Sequence, residues 1–191
     1  GGVLLHVLRK FNYPGAVYPV NPKAESIQGL RAYARVGDIG QPIDLAVISI
    51  GVDGVEQAMR ECAAAGVRAA MVVTSQFAES GPEGAQKQER VLATARQAGI
   101  AMIGPNCMGV LNANESMVLL NSTALVEFFD DIPRGRIGLV SQSGAVVGAM
   151  IARAGFVGAG FSSCVSLGNQ ADLEICDFFD YLVDDPNTGV I

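Results

Sequence analysis

Asp44-Leu-Ala-Val-Ile-Ser-Ile50 is apolar almost without interruption, and this run limits the fold more than any other stretch. A strand with one wet face alternates apolar and polar residues. A strand that does not alternate is covered on both faces, the usual condition of a parallel sheet flanked by helices. Arg68-Ala-Ala-Met-Val-Val-Thr74 and Ile100-Ala-Met-Ile-Gly104 repeat the pattern. Between these runs Val55, Met59 and Cys62 fall on one helical face; Val91, Leu92 and Ala95 fall on another, after Pro82 at a helix start. Val3 to Phe11 has helical spacing with Arg9 and Lys10 near its C-terminal end, and Ala16-Val-Tyr-Pro-Val20 is expected as a strand leading into Asn21-Pro22-Lys23. Strands separated by helices place the chain in the α/β class, with a doubly wound parallel sheet.

The rhythm lapses after Pro105 and is weak from Asn112 to Asp131; Asp130 to Gly135 has the composition of a linker. It resumes with a strand at Ile137, a helix from Gly144, a strand over 160–166, a helix over 172–183 and a strand beginning at Val190. The expected organisation is a first α/β unit over residues 1–125, a linker at 126–133 and a second unit over 134–191. Gly1-Gly2 leads straight into a helix, so a first strand and its glycine-rich loop are expected upstream.

The net charge of −6 argues against nucleic acid as the main partner, because a phosphate backbone needs a basic surface. It does not exclude a small anion held by local dipoles. Cys62, Cys107, Cys164 and Cys176 are widely spaced and form no zinc or disulfide pattern, which fits a reducing, cytoplasmic setting. No apolar run is long enough to span a membrane, and no cluster suits a metal ion.

Ligands of open α/β sheets bind beyond the carboxyl ends of the strands. In Ile137-Gly-Leu-Val-Ser-Gln-Ser-Gly-Ala145, an apolar strand delivers Ser141, Ser143 and Gly144 to a helix start. Free N–H groups and the helix dipole make such a turn either an anion site or an ordinary cap. Lys23 stands where a sheet that binds NAD usually carries an acid; it either suits a phosphorylated ribose, as in NADP or coenzyme A, or is a solvated surface lysine. Glu79 lies just past a strand end, as an acid near a ligand or a carboxylate at a helix start; Cys107 is a thiol near a ligand or a small apolar filler. His6 is the only histidine and lies on a helix face, which leaves the catalytic residue unknown. Ser141 to Ala145 has the small-residue spacing of a hydrolase nucleophile elbow, but no histidine follows Ser143.

Together Tyr18-Pro-Val-Asn-Pro-Lys23, Phe77-Ala-Glu-Ser-Gly81, Gly104-Pro-Asn-Cys-Met-Gly109, Ser141-Gln-Ser-Gly144 and Ser166-Leu-Gly-Asn-Gln-Ala-Asp172 resemble, in order, the acyl-CoA synthetases (NDP-forming), relatives of the succinyl-CoA synthetase alpha chain. The resemblance implies a Rossmann-like CoA-binding domain, here without its first strand, followed by a flavodoxin-like domain. It implies that acyl-CoA, ADP and phosphate interconvert with acid, CoA and ATP through an acyl phosphate and a phosphohistidine. It places Asn21, Pro22 and Lys23 at the nucleotide end of CoA, Asn106 and Cys107 along the pantetheine arm, and Ser141, Ser143 and Gly144 around the phosphoryl group. The phosphorylated histidine is expected beyond Ile191. ATP or ADP and Mg²⁺ are expected on an ATP-grasp domain or subunit outside this chain, in a homo- or hetero-oligomer. Ser49-Ile-Gly-Val52 lacks a proline common in the family, and Gln76 replaces a usual glycine. The rival reading is a catalytically degenerate CoA-binding regulatory module, for example of a lysine acetyltransferase; an NADP-dependent oxidoreductase is the third.

If Lys23 meets the 3′-phosphate of CoA, Lys23→Ala will weaken CoA about tenfold or more and leave dephospho-CoA nearly unchanged. Calorimetry with both ligands, with the segment upstream of Gly1 restored, reads the difference. Equal losses remove Lys23 from the 3′-phosphate.

Overall fold

The computed structural model describes residues 1–122 and 124–191. Helix α1, Gly2–Lys10, buries Leu4, Val7, Leu8 and Phe11, the stripe its spacing predicts. A hairpin follows, β1 (Ser26–Ile27) and β2 (Leu30–Arg31), turning at Gln28 and Gly29 with φ of 50° and 81°. Residues 16–20, expected as a strand, join no ladder except an isolated bridge from Val20 to Tyr33. Pro19 has no N–H to donate, which removes one ladder donor from this stretch.

The apolar runs form β3 (Leu45–Ile48), β4 (Ala69–Val72) and β5 (Ala101–Ile103), a parallel sheet in that order. Helices α2 (Val52–Ala64) and α3 (Pro82–Gln97) connect them, and Val55, Met59, Cys62, Val91 and Ala95 pack with Ala70, Val72 and Met102. Met71 belongs to a second cluster, with Leu4 and Leu8 of α1 and with Val110, Leu119, Val165 and Leu167. Successive strand residues thus enter different cores, which is why these strands do not alternate.

The second sheet is mixed. Its strands are β6 (Gly109–Asn112), β7 (Met117–Leu120), β8 (Arg134–Ser141) and β9 (Phe161–Ser166), in the order β7-β6-β9-β8. Strands β8 and β9 are parallel, whereas β6 runs antiparallel to both neighbours. Short helix α4 (Ala124–Phe128) precedes β8, α5 (Gly144–Val157) joins β8 to β9, and α6 (Ile175–Asp184) follows β9. Val190 makes an isolated parallel bridge to Ile137. The hairpin β6–β7 falls where the sequence pattern is weak. Each strand has four residues, and Val110, Leu111, Val118, Leu119 and Leu120 are all buried, so no period is visible. Strand pairing therefore runs across the boundary expected between residues 125 and 134. The stretch expected as a linker contains the end of α4 and buried Ile132.

The chain after β9 ties the two sheets together. The N–H groups of Asn169, Ala171 and Leu173 donate to the carbonyls of Pro105, Gly104 and Met102 at 2.8, 3.0 and 3.1 Å. Asp172 accepts from Met102 N and from Arg96 Nε, both at 3.0 Å. Residues 169–173 thus cover the edge that β5 would otherwise leave open. Asp172→Ala should cost about 1.5–3 kcal/mol of stability, because a charged acceptor of two donors is lost. Urea unfolding measures it, and a loss below about 0.5 kcal/mol would show that this strip is not what holds the sheets together.

Candidate functional site

A cleft of about 650 Å³ opens where the carboxyl ends of β4, β5, β8 and β9 meet. One wall is the turn from β8 into α5. The β8–β9 pairing continues past the strands, with Leu167 N on Ser141 O at 2.9 Å and Gly168 N on Gln142 O at 3.1 Å. Ser143 is the N-cap of α5, its Oγ accepting from Val146 N at 3.4 Å, and Ser141 Oγ accepts from Ser143 N at 3.1 Å. The first N–H groups of a helix have no intrahelical partner, so those of Gly144 and Ala145, both lining the cleft, are available to an anion. Ser143 accepts with an oxygen lone pair, which leaves its hydroxyl proton to donate. Both readings of this serine are physically compatible.

Gly144 is explained by more than ligand approach. A Cβ there would lie 2.6 Å from Met108 Cβ, so the small residue is required by the loop packed on it. Met108 N donates to Ser166 Oγ at 3.0 Å, fixing that loop against β9.

The opposite wall is the turn after β5. Gly104 has φ of 98°, the Gly104–Pro105 peptide is cis, and Asn106 has φ of 59° with its N–H on Thr74 O at 2.9 Å. Asn106 is exposed at the cleft. Cys107 is buried; its thiol donates to Val72 O at 3.3 Å, and burial pushes its pKa up to about 12. Cys107 is therefore a neutral filler whose thiol is already engaged, and what it offers a ligand is its backbone.

Glu79 stands at the rim. Its Oε1 accepts from Gln76 N at 2.6 Å and Phe77 N at 3.2 Å, and its Oε2 accepts from Asn169 Nδ2 at 2.5 Å. Partial burial pushes the carboxyl up, but the Asn169 amide and the backbone N–H groups outweigh it and hold its pKa below the ordinary value. Gln76 has φ of 74°, in the left-handed region that favours glycine, which accounts for the glycine usual at this position in the resembled family.

The structure thus brings Ser143, Gly144, Asn106 and Cys107 together in the lining, with Ser141 and Glu79 hydrogen-bonded behind it. Asn21, Pro22 and Lys23 are not in the lining. Asn21 Oδ1 accepts from Lys23 N at 2.9 Å, Asn21 N donates to Tyr33 O at 2.8 Å, and Lys23 is exposed. His6 lies on a smaller apolar hollow with Gly2, Val3, Val126 and Glu127. Sequence reasoning gave no role to Ser75, Asn121 or Asn169, which also line the cleft. Asn121 follows the run Met117–Leu120, so its signal was a polar residue at a strand end. Among the described residues no group of His, Cys, Asp and Glu is placed to hold a metal, and no helix is long and apolar enough to cross a membrane.

Residues 4–113 match a family described as CoA binding domain, and residues 134–191 one described as succinyl-CoA ligase like flavodoxin domain. The chain is 36% identical over 191 residues to an acetate–CoA ligase [ADP-forming] of Methanocaldococcus jannaschii, covering all of this chain and 26% of that one. It is 36% identical over 170 residues to the alpha subunit of acetate–CoA ligase [ADP-forming] II of Pyrococcus furiosus, covering 89% of this chain and 36% of that one. The dinucleotide-forming acetyl-coenzyme A synthetase 1 of Ca. Korarchaeum cryptofilum, solved in complex with phosphate and ADP, superposes with a TM-score of 0.91 at 35% identity, over 98% of this chain and 39% of that one. The chain therefore spans about a quarter to two-fifths of the length of these relatives.

With a pKa of about 12, only about one Cys107 thiol in ten thousand is ionised at pH 8. Iodoacetamide at pH 8 should label exposed Cys176 and spare Cys107, as read by peptide mass spectrometry. Rapid labelling of Cys107 would show that its thiol reaches the cleft.

Proposed function

Because the chain belongs to the NDP-forming acyl-CoA synthetase family, as a CoA-binding unit followed by a flavodoxin-like unit, we propose that its cleft is where an acyl group passes between CoA and phosphate. The observation that carries this reading is the meeting of two unlike walls. One wall, at Ser143 and Gly144, offers unpaired N–H groups and a hydroxyl, which suit phosphate. The other, at Asn106 to Met108, is an exposed amide beside a closely packed loop, which suits the uncharged arm of CoA.

In this reading a phosphate oxygen attacks the thioester carbon. The C–O bond forms, the C–S bond breaks, and the sulfur leaves with its electron pair and takes up a proton. The chain's part is to hold both reactants at one place, the larger share of the work when two bound partners must collide. No acid or base in the lining need supply the proton, since phosphate itself carries one near neutral pH. Lys23 and the Asn21–Pro22 turn serve the nucleotide end of the same ligand, outside the cleft. The phosphoryl group of the acyl phosphate formed here passes to a histidine nitrogen as its bond to the acyl oxygen breaks and the acid leaves as carboxylate, and it passes from that histidine to ADP with Mg²⁺ on an ATP-grasp partner; none of those groups is assigned to residues of this chain.

The test is phosphate-dependent release of free thiol from acyl-CoA by the complete protein, in wild type and Ser143→Ala. Losing one hydrogen bond to a charged group should raise the phosphate requirement roughly ten- to a hundredfold, with CoA affinity unchanged. A variant that loses stability but keeps its phosphate dependence would make Ser143 a helix cap alone.

A further inference from the structure

Three side chains run from the rim into the cleft as one hydrogen-bonded chain. Asn169 Nδ2 donates to Glu79 Oε2 at 2.5 Å and to Gln88 Oε1 at 2.9 Å. Asn169 Oδ1 accepts from Asn106 Nδ2 at 3.3 Å. Gln88 Oε1 also accepts from Ala78 N at 3.5 Å, and Glu79 Oε1 is held by the N–H groups of Gln76 and Phe77.

The chain has a direction, which the Glu79 carboxylate sets with Gln88 Oε1 beside it. A carboxylate only accepts, whereas each amide can be turned over to exchange donor and acceptor. Facing a carboxylate, Asn169 must present its Nδ2. Its Oδ1 then faces Asn106, which must answer with Nδ2. Asn106 is left with its Oδ1 unengaged by the described residues, at the cleft wall. This wall therefore offers an acceptor, while the opposite wall at Gly144 and Ala145 offers donors. An acceptor repels phosphate oxygens and takes an N–H.

We propose that Glu79 and Asn169 are positioning residues that fix the Asn106 carboxamide with its oxygen toward the cleft, where it accepts from an amide N–H of the pantetheine arm of CoA. The inference rests on the CoA reading above. It gives the Glu79 carboxylate a task other than acid–base chemistry: it keeps the CoA wall and the phosphate wall chemically distinct.

The structure supplies an isosteric test. In Glu79→Gln, the Gln76 and Phe77 N–H groups hold the amide oxygen, so the new NH₂ faces Asn169. Asn169 answers by turning over together with Gln88, whose Oε1 gives up its long contact with Ala78 N, and Asn106 follows, so that a donor replaces the acceptor at the cleft. In Glu79→Gln with Asn169→Asp, residue 169 only accepts, from the new NH₂ at position 79, from a turned-over Gln88 and from Asn106, and Asn106 returns to its native orientation. Calorimetry on the complete protein measures CoA and an analogue whose pantetheine amide nearest the thiol is an ester. Wild type should bind the ester analogue about tenfold more weakly than CoA, the effect of one lost hydrogen bond with an acceptor left unpaired. Glu79→Gln should bind CoA about tenfold more weakly and discriminate little between the two ligands. The double variant should recover CoA affinity to within about threefold and regain the discrimination. That recovery also shows that the single variant was folded but misdirected. Equal CoA affinity in wild type and Glu79→Gln, or a double variant no better than Glu79→Gln, overturns the inference and leaves the CoA reading intact. A wild type that binds no CoA overturns both.

Discussion

A Cβ on Gly168 would lie 2.2 Å from the Pro105 carbonyl oxygen, and Gly168 itself has φ of 60°. Two constraints, one steric and one conformational, thus demand the same residue. A Cβ on Gly144 would likewise lie 2.6 Å from Met108 Cβ, so three loops from two sheets rest directly on one another. The cleft is the space those loops leave. Its width depends on backbone resting against backbone, which compresses very little. Neither sheet would shape the site alone: β6 continues from the loop after β5 into the second sheet, and residues 169–173 return from the second sheet to cover β5.

That construction explains how an acidic chain can hold an anion. The net charge is −6, and no lysine or arginine lines the cleft. Attraction must come from oriented dipoles: the start of a fourteen-residue helix and the hydroxyl that caps it. Dipoles act only at short range, so the donors that suit an anion are those at the start of α5, beside Ser143 and Gly144. The Asn106–Asn169–Glu79 chain shows the same economy, with one charge at the rim orienting two neutral amides.

The two matched segments, 4–113 and 134–191, each supply one wall. The intervening residues are not a passive tether. Strand β7 completes the second sheet, Leu125 and Ile132 are buried in its core, and Asn121 reaches the cleft lining. A chain that spans about a quarter to two-fifths of its relatives' length thus brings two walls of one cleft together.

The sequence by itself determined the α/β class, the three parallel strands of the first sheet, the helix faces, and the Ser141–Gly144 turn at a helix start, because each is written in local periodicity or in a capping residue. It also showed which loops cluster at strand ends. It could not show the β6–β7 hairpin, whose four-residue strands are too short and too fully buried to display a period. It could not show that residues 16–20 would join no ladder beyond the bridge from Val20 to Tyr33, since pairing depends on a neighbour distant in the chain. Only the tertiary structure decided that Cys107 is buried against Val72, that Gly144 makes room for Met108, and that Glu79 meets Asn169. The last two residues are 90 positions apart in sequence, and nothing local to either names the other. Periodicity records which face of an element is buried; it does not record which element buries it, and a binding site is made of the second kind of fact.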